Sequence, residues 1–173
     1  FFFTDSWWRP LKNLFYNFLN INYYLNVNLI ISIKIFLHII ITLIIFLYFV
    51  FYSKNKFLSL ALSLFFLFHQ SSIIAIYGLD TFGQLIGTFF GILSFISIIS
   101  YCSYKRQKYL YFSIILTIFS LLSKENAISF IFINSLTLIL FNVENKIFDL
   151  KQQFSKNFFP IFLLLSLVLF IYF

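Results

Sequence analysis

Long apolar runs alternate with short polar or basic turns along most of the chain. Residues 30–52 form the first such run, and as a helix it reaches roughly 35 Å, enough to cross a bilayer. Ser53-Lys54-Asn55-Lys56 then makes a tight basic turn. Residues 57–68 are a shorter apolar run, which reaches spanning length when the helix extends over 53–72 and sets His69 and Gln70 near the far surface. Residues 82–101 span cleanly and lead into Lys105, Arg106 and Lys108. Two further apolar runs, 109–122 and 127–141, are split by Ser123-Lys124-Glu125-Asn126, and residues 161–173 open a last span after Pro160. Residues 1–28 have a different rhythm. After Trp7-Trp8-Arg9-Pro10, the residues Leu11, Leu14, Phe15, Phe18 and Leu19 fall on one helical face, with Lys12, Asn13, Asn17 and Asn20 on the other. That pattern predicts a short amphipathic helix that starts at Pro10 and lies in the membrane interface, the alternative being a helix that binds a partner. The expected fold is all-α: a polytopic helical membrane protein of about six spans in residues 29–173, preceded by the interfacial segment 1–28.

Composition strengthens this reading. The 173 residues are 62% hydrophobic and 10% charged, against about 45–50% and about 25% in soluble domains. So much apolar surface cannot be hidden in one soluble core of this length, which excludes a soluble enzyme, a disordered tail and a disulfide-built domain. Cys102 stands alone and offers neither an internal bridge nor metal-ligand spacing. The 29 Phe look like an A+T-rich genome filling apolar positions. With no Met in the chain and an apolar run at Phe173, the expectation is a piece of a longer protein.

The net charge of +7 points to membrane orientation rather than to nucleic acid. Three basic turns (Lys54 and Lys56; Lys105, Arg106 and Lys108; Lys146, Lys151 and Lys156) should lie on the cytoplasmic side. The chain must then cross an even number of times between the second and third turns. Residues 109–122 and 127–141 are therefore two crossings or a re-entrant pair, not one long helix. The outer side collects Asp5, Arg9, His69, Gln70, Asp80, Lys124 and Glu125.

Gly83, Gly87 and Gly91 recur at every fourth position, a small-residue face that lets another helix approach closely. Lys34 and His38 share one face of the first span. They either line the bundle or, lying in its outer half, snorkel toward the interface. Asp80 either transfers protons or caps the helix that begins near Phe82, and Lys124-Glu125 is in its plainest reading a self-paired couple in a turn.

The order of these pieces carries a resemblance. Arg9-Pro10-Leu11 opens an interfacial helix; His69, then Gly78 with Asp80, precede a span; and Ser123-Lys124-Glu125 ends a later one. This set resembles the multispanning GT-C glycosyltransferases, especially the O-mannosyltransferase-like group with tetratricopeptide tails and its bacterial relatives. Gln70 stands where that family usually has proline, the family's acidic first loop would precede Phe1, and no tetratricopeptide repeat is present. The resemblance implies transfer of a sugar from a polyprenyl-phosphate donor to an acceptor on the outer or lumenal face, in a bacterial inner membrane or the endoplasmic reticulum. Asp5 and Asp80 would then be catalytic carboxylates, with the family's principal base ahead of residue 1. Arg9 and Lys124 would meet the donor phosphate, Glu125 would orient Lys124, and His69 would shape the sugar or acceptor pocket. The implied partners are membrane lipid, the lipid-linked donor and an acceptor protein or glycan, with no tightly bound cofactor, no metal ligands assigned and no nucleic acid. The other class left open is non-enzymatic: a transporter, or a membrane subunit of an organellar respiratory assembly.

Overall fold

The computed structural model describes residues 10–18, 27–78 and 81–144. Among them the chain is helical, with no strand: α1 (Pro10–Phe18), α2 (Val27–Ser53), α3 (Lys56–Phe68), α4 (Gln70–Tyr77), α5 (Phe82–Tyr104), α6 (Gln107–Ser123), a 3-10 turn at Glu125–Ala127, and α7 (Ile128–Glu144). Two of these helices, α2 and α5, are long and apolar enough to cross a membrane, while α3, α6 and the apolar part of α7 are shorter. The last expected span, 161–173, lies outside the described residues.

Helix α5 is the centre of the bundle. It packs along α6 and also meets α7 and α2, while α3 pairs with α2 and α1 rests on α5 and α6. The glycine face makes the α5–α6 approach possible. A Cβ added at Gly83 would lie 2.6 Å from the Ser123 carbonyl oxygen, and one at Gly87 would lie 3.3 Å from that of Ser120. A side chain of one helix reaches the backbone of the other there: the Ser120 hydroxyl donates to the Gly87 carbonyl at 2.6 Å. Further along, Ser94, Ser113 and Thr117 join their hydroxyls between α5 and α6, with Ser94 and Thr117 oxygens 2.6 Å apart. Asn134 of α7 donates to both Ser94 at 2.6 Å and Thr117 at 3.3 Å. This polar knot ties three helices together.

The two basic turns have the same build. Lys54 adopts a left-handed conformation (φ 55°) and Lys105 another (φ 53°), each closing the helix before it. The Lys105 amide donates to the Tyr101 carbonyl at 2.7 Å and that of Lys54 to Val50 at 3.2 Å. Asn55 then starts α3, its side-chain oxygen accepting from the amides of Phe57 and Leu58, both at 3.1 Å.

The sequence expectations need correction in three places. The helix expected over 53–72 breaks at His69, which is extended (ψ 134°) and separates α3 from α4. The break turns α4 inward, so that Ala75 can pack with Ile41 and Leu85. The N-cap position of α5 is Thr81 rather than Asp80, and its side chain does not cap; the hydroxyl turns back instead to the Ala75 and Gly78 carbonyls. In α1, Lys12 is buried while Leu14 is 58% exposed, the reverse of a helix that turns its charged face outward. The Lys12 stem fits over the space left by Gly83, and Phe15 meets Phe82 edge to face at 6.3 Å.

That reversal recurs through the bundle. The buried side chains of α3 are Ser59 and Ser63, while Phe57, Leu60 and Phe65 are exposed. On α6, Ser113, Ser120 and Ser123 are buried beside Leu110, Leu116 and Leu121, whereas Tyr111, Phe112 and Ile115 face out. Water drives the opposite sorting, with leucine and phenylalanine inside.

Candidate functional site

The α3–α4 break, the α4–α5 junction and the α6–α7 turn gather around the first turns of α5. Two cavities open there. One, of about 290 Å³, is lined by His38, Phe66, His69, Ala75, Gln84 and Thr88, among others. The other, of about 270 Å³, is lined by Gln84, Gly87, Thr88, Lys124, Asn126 and Ser129, among others. Gln84 and Thr88 belong to both linings, so the cavities adjoin across one face of α5.

The local folding explains who lines what. His69 reaches its cavity because the chain is extended at that residue, and its ring lies 5.3 Å from Phe65. His38 sits on the inner face of α2 at 2% exposure, with its ring 5.1 Å from Phe66. Its Nε2 lies 3.3 Å from the Leu67 carbonyl oxygen. A carbonyl only accepts, so in the neutral ring Nε2 carries the proton and Nδ1 keeps a lone pair. That Nδ1 is buried with no hydrogen-bond partner among the described residues.

One turn earlier, Lys34 is 1% exposed. Its ammonium donates to the Gly78 carbonyl and, at 3.2 Å, to the Thr81 hydroxyl. The snorkelling alternative is thereby corrected. Lys34 turns inward because the carbonyl end of α4 offers it partners at depth, and it ties α2 to the junction that carries Ala75 and Gln84.

Lys124 ends α6 at the mouth of the second cavity, half-buried, with its amide donating to the Ser120 carbonyl at 3.4 Å. Among the described lining residues Lys124 carries the formal charge. Asn126 and Ser129 add hydrogen-bonding capacity beside it.

Of the residues singled out from the sequence, the structure brings His69 and Lys124 to adjoining cavities. Glu125 has its backbone in the 3-10 turn, but its side chain is outside the described set. Asp5, Arg9 and Asp80 also lie outside the described residues. The sequence reading missed Gln84, Thr88, Asn126 and Ser129. Gln84 and Thr88 did carry a signal: two polar residues four apart, on either side of Gly87 in the first turns of the span, share one helical face. Among the described residues no three His, Cys, Asp or Glu side chains converge to hold a metal ion. Set against family models, curated proteins and solved structures, the chain matches none.

Proposed function

We propose that the chain is part of a multi-pass membrane glycosyltransferase that moves a sugar from a polyprenyl-phosphate donor to an acceptor hydroxyl at the α5 N-terminal end of the bundle. The bundle's sorting supports the membrane part of this reading. Serines, Asn134, Lys34 and His38 are buried while large apolar side chains cover the outside, which suits helices solvated by lipid and held together by small and polar residues.

The observation that carries the transfer reading is the paired cavity: one chamber holds a cation, its neighbour holds two imidazoles, and Gln84 and Thr88 are common to both. A donor phosphate placed by Lys124 gains charge as the bond from C1 of the sugar to phosphate oxygen breaks, and the ammonium stabilises that charge. The electron pair leaves with the phosphate. The acceptor oxygen attacks C1 while a carboxylate, Asp5 or Asp80 in this chain, takes its proton. Arg9 supplies a second, bidentate cation, Glu125 orients Lys124, and His69 shapes the sugar side.

The test is sugar transfer in membrane vesicles that contain the chain within its full-length protein, using a radiolabelled polyprenyl-phosphate sugar. Lys124→Ala should lower kcat by about 10²–10³-fold, as loss of an oxyanion donor does, with KM changed less. Undiminished transfer by that variant would refute the assignment.

A further inference from the structure

We propose that the α2–α3 and α5–α6 turns together form one platform for the phosphate headgroups of anionic lipids. Helices α2 and α5 pack side by side and run parallel: Lys34 meets Thr81 before the first turn of α5, Ile41 packs with Leu85, and Tyr48 comes within electrostatic range of Cys102. Both helices therefore finish at the same end of the bundle. Lys54 lies 54 − 34 = 20 residues beyond Lys34, and Lys105 lies 105 − 81 = 24 beyond Thr81, so the turns come level to within about 6 Å at 1.5 Å per residue. Packed helix axes stand about 8–10 Å apart, which makes the two turns neighbours. Lys54, Lys56, Lys105, Arg106 and Lys108 are all exposed there. Acidic residues do not cancel them. Of the five in the chain, Asp80 adjoins Thr81 and Glu125 adjoins Lys124 in sequence, at the opposite end, which leaves Asp5, Glu144 and Asp149. Even with all three paired here, 5 − 3 = 2 cations remain over, before Lys146, Lys151 and Lys156 are counted. The surroundings of the cations select the anion. Phe51 is 79% and Phe57 82% exposed on either side of the first turn, and Tyr104, Tyr111 and Phe112 are exposed beside the second. The partner must therefore offer hydrocarbon and negative charge within one helical turn of each other. A free phosphate, an acidic peptide or a nucleic acid supplies the charge without the hydrocarbon, whereas an anionic leaflet supplies both. Exposed Tyr52 and Tyr104, each with an apolar ring and a polar tip, mark the level where the two layers meet. A headgroup between the turns also offsets the repulsion of like charges, and so joins the α2–α3 pair to the α5–α6 pair. The platform rests on the membrane part of the proposed function and not on sugar transfer, whose cavities lie at the other end.

The test titrates the full-length protein in detergent micelles with phosphatidylglycerol or phosphatidylcholine and counts the bound lipids by native mass spectrometry. Phosphatidylglycerol should be held at least tenfold more tightly. A basic residue near an anionic surface contributes about fivefold in affinity. Lys54→Asn and Lys105→Asn each remove one charge and keep a residue that accepts the left-handed conformation. Each should weaken phosphatidylglycerol about fivefold and leave phosphatidylcholine unchanged. Because one headgroup touches both turns, both variants should weaken the same first-bound lipid. Lys56→Gln and Arg106→Gln, one from each turn and away from the left-handed positions, give the same readout should the asparagine variants fail to fold. Weakening by variants of one turn alone would overturn the shared platform. So would equal retention of the two lipids, or displacement of phosphatidylglycerol by inorganic phosphate at the same concentration. Alkaline carbonate extraction of membranes that hold the full-length protein checks the membrane reading separately. A protein washed out by carbonate loses the membrane reading and the platform together, whereas one that stays but shows no lipid preference loses only the platform. Sugar transfer that does not depend on Lys124 would remove the transfer reading and leave the platform standing.

Discussion

The closest test of the bundle's packing is a pair of alanine substitutions on the glycine face of α5. At Gly83 the new Cβ would stand 2.6 Å from the Ser123 carbonyl oxygen, where ordinary contact begins at 3.4 Å, so the end of α6 must retreat by 3.4 − 2.6 = 0.8 Å. A carbonyl in the last turn of a helix cannot swing aside as a side chain can. If α6 shifts as a unit, the Ser120–Gly87 hydrogen bond, now 2.6 Å, stretches beyond the usual O–H···O range of about 2.5–3.0 Å. Overpacking costs about 1–3 kcal/mol, and an interhelical hydrogen bond in a membrane protein contributes about 0.6 kcal/mol. Gly83→Ala should therefore destabilise the fold by about 2 kcal/mol or more. At Gly87 the nearest atom is 3.3 Å away, so a shift of 0.1 Å suffices. Alanine there is also the better helix former, and Gly87→Ala should be close to neutral. Gly87→Leu, by contrast, drives its branches toward Ser123 and Ala127 and restores the overpacking cost. Unfolding in mixed micelles by added dodecyl sulfate, followed by near-ultraviolet circular dichroism, gives the comparison. Because helices persist in dodecyl sulfate, the difference reports on helix–helix contact. Equal stability of Gly83→Ala and Gly87→Ala would refute the close backbone approach.

Two further expectations concern the same end and the sidedness of the bundle. Lys34→Met removes the ammonium from Gly78 and Thr81, and hydrogen bonds to a charged group are worth about 1.5–3 kcal/mol; amide exchange across α4 and the start of α5 should speed up at least tenfold, with α6 unchanged, and uniform protection would show that Lys34 ties nothing. Cysteines introduced at positions 78 and 106 should label from opposite sides of the membrane, position 78 from outside, against a silent background because native Cys102 is buried; labelling of position 106 from outside and not of position 78 would invert the topology.

What the sequence made legible was local. Apolar runs of helix length, the separation of 109–122 from 127–141 and the glycine face are all properties of neighbouring residues, and α2, α5, α6 and α7 appear where those runs lie. The break at His69 was not legible, because His69-Gln70-Ser71-Ser72 contains no proline or glycine to announce it. Its cause is remote: Ala75 packs with Ile41 and Leu85, and Lys34 receives the end of α4. The inward Lys12 was missed for a related reason. The amphipathic rule assumes that charge seeks water, whereas here the stem of Lys12 fills the groove above Gly83. The polar knot was invisible because Ser94, Thr117 and Asn134 sit on three different helices and no periodicity within one run links them. For the candidate site, His69 and Lys124 could be named from their positions in turns, but Gln84 and Thr88 acquire meaning only when two cavities are seen to meet at them.

The left-handed lysines at 54 and 105 have a consequence for how this chain is made. A residue with a side chain at that conformation costs roughly 1 kcal/mol relative to glycine, so glycine at either turn would give a more relaxed helix end. It would also delete one of the few charges by which a nascent chain is oriented during insertion. In the proposed membrane bundle the two demands act at different times: strain is felt by the finished fold, while the charge would act as each hairpin enters the bilayer. A stability-guided redesign would choose glycine at both turns, and in the proposed membrane bundle it would leave the charge bias to Lys56, Arg106 and Lys108. Lysine in these turns is what a chain selected for the proposed route into the membrane would keep at the expense of its final packing.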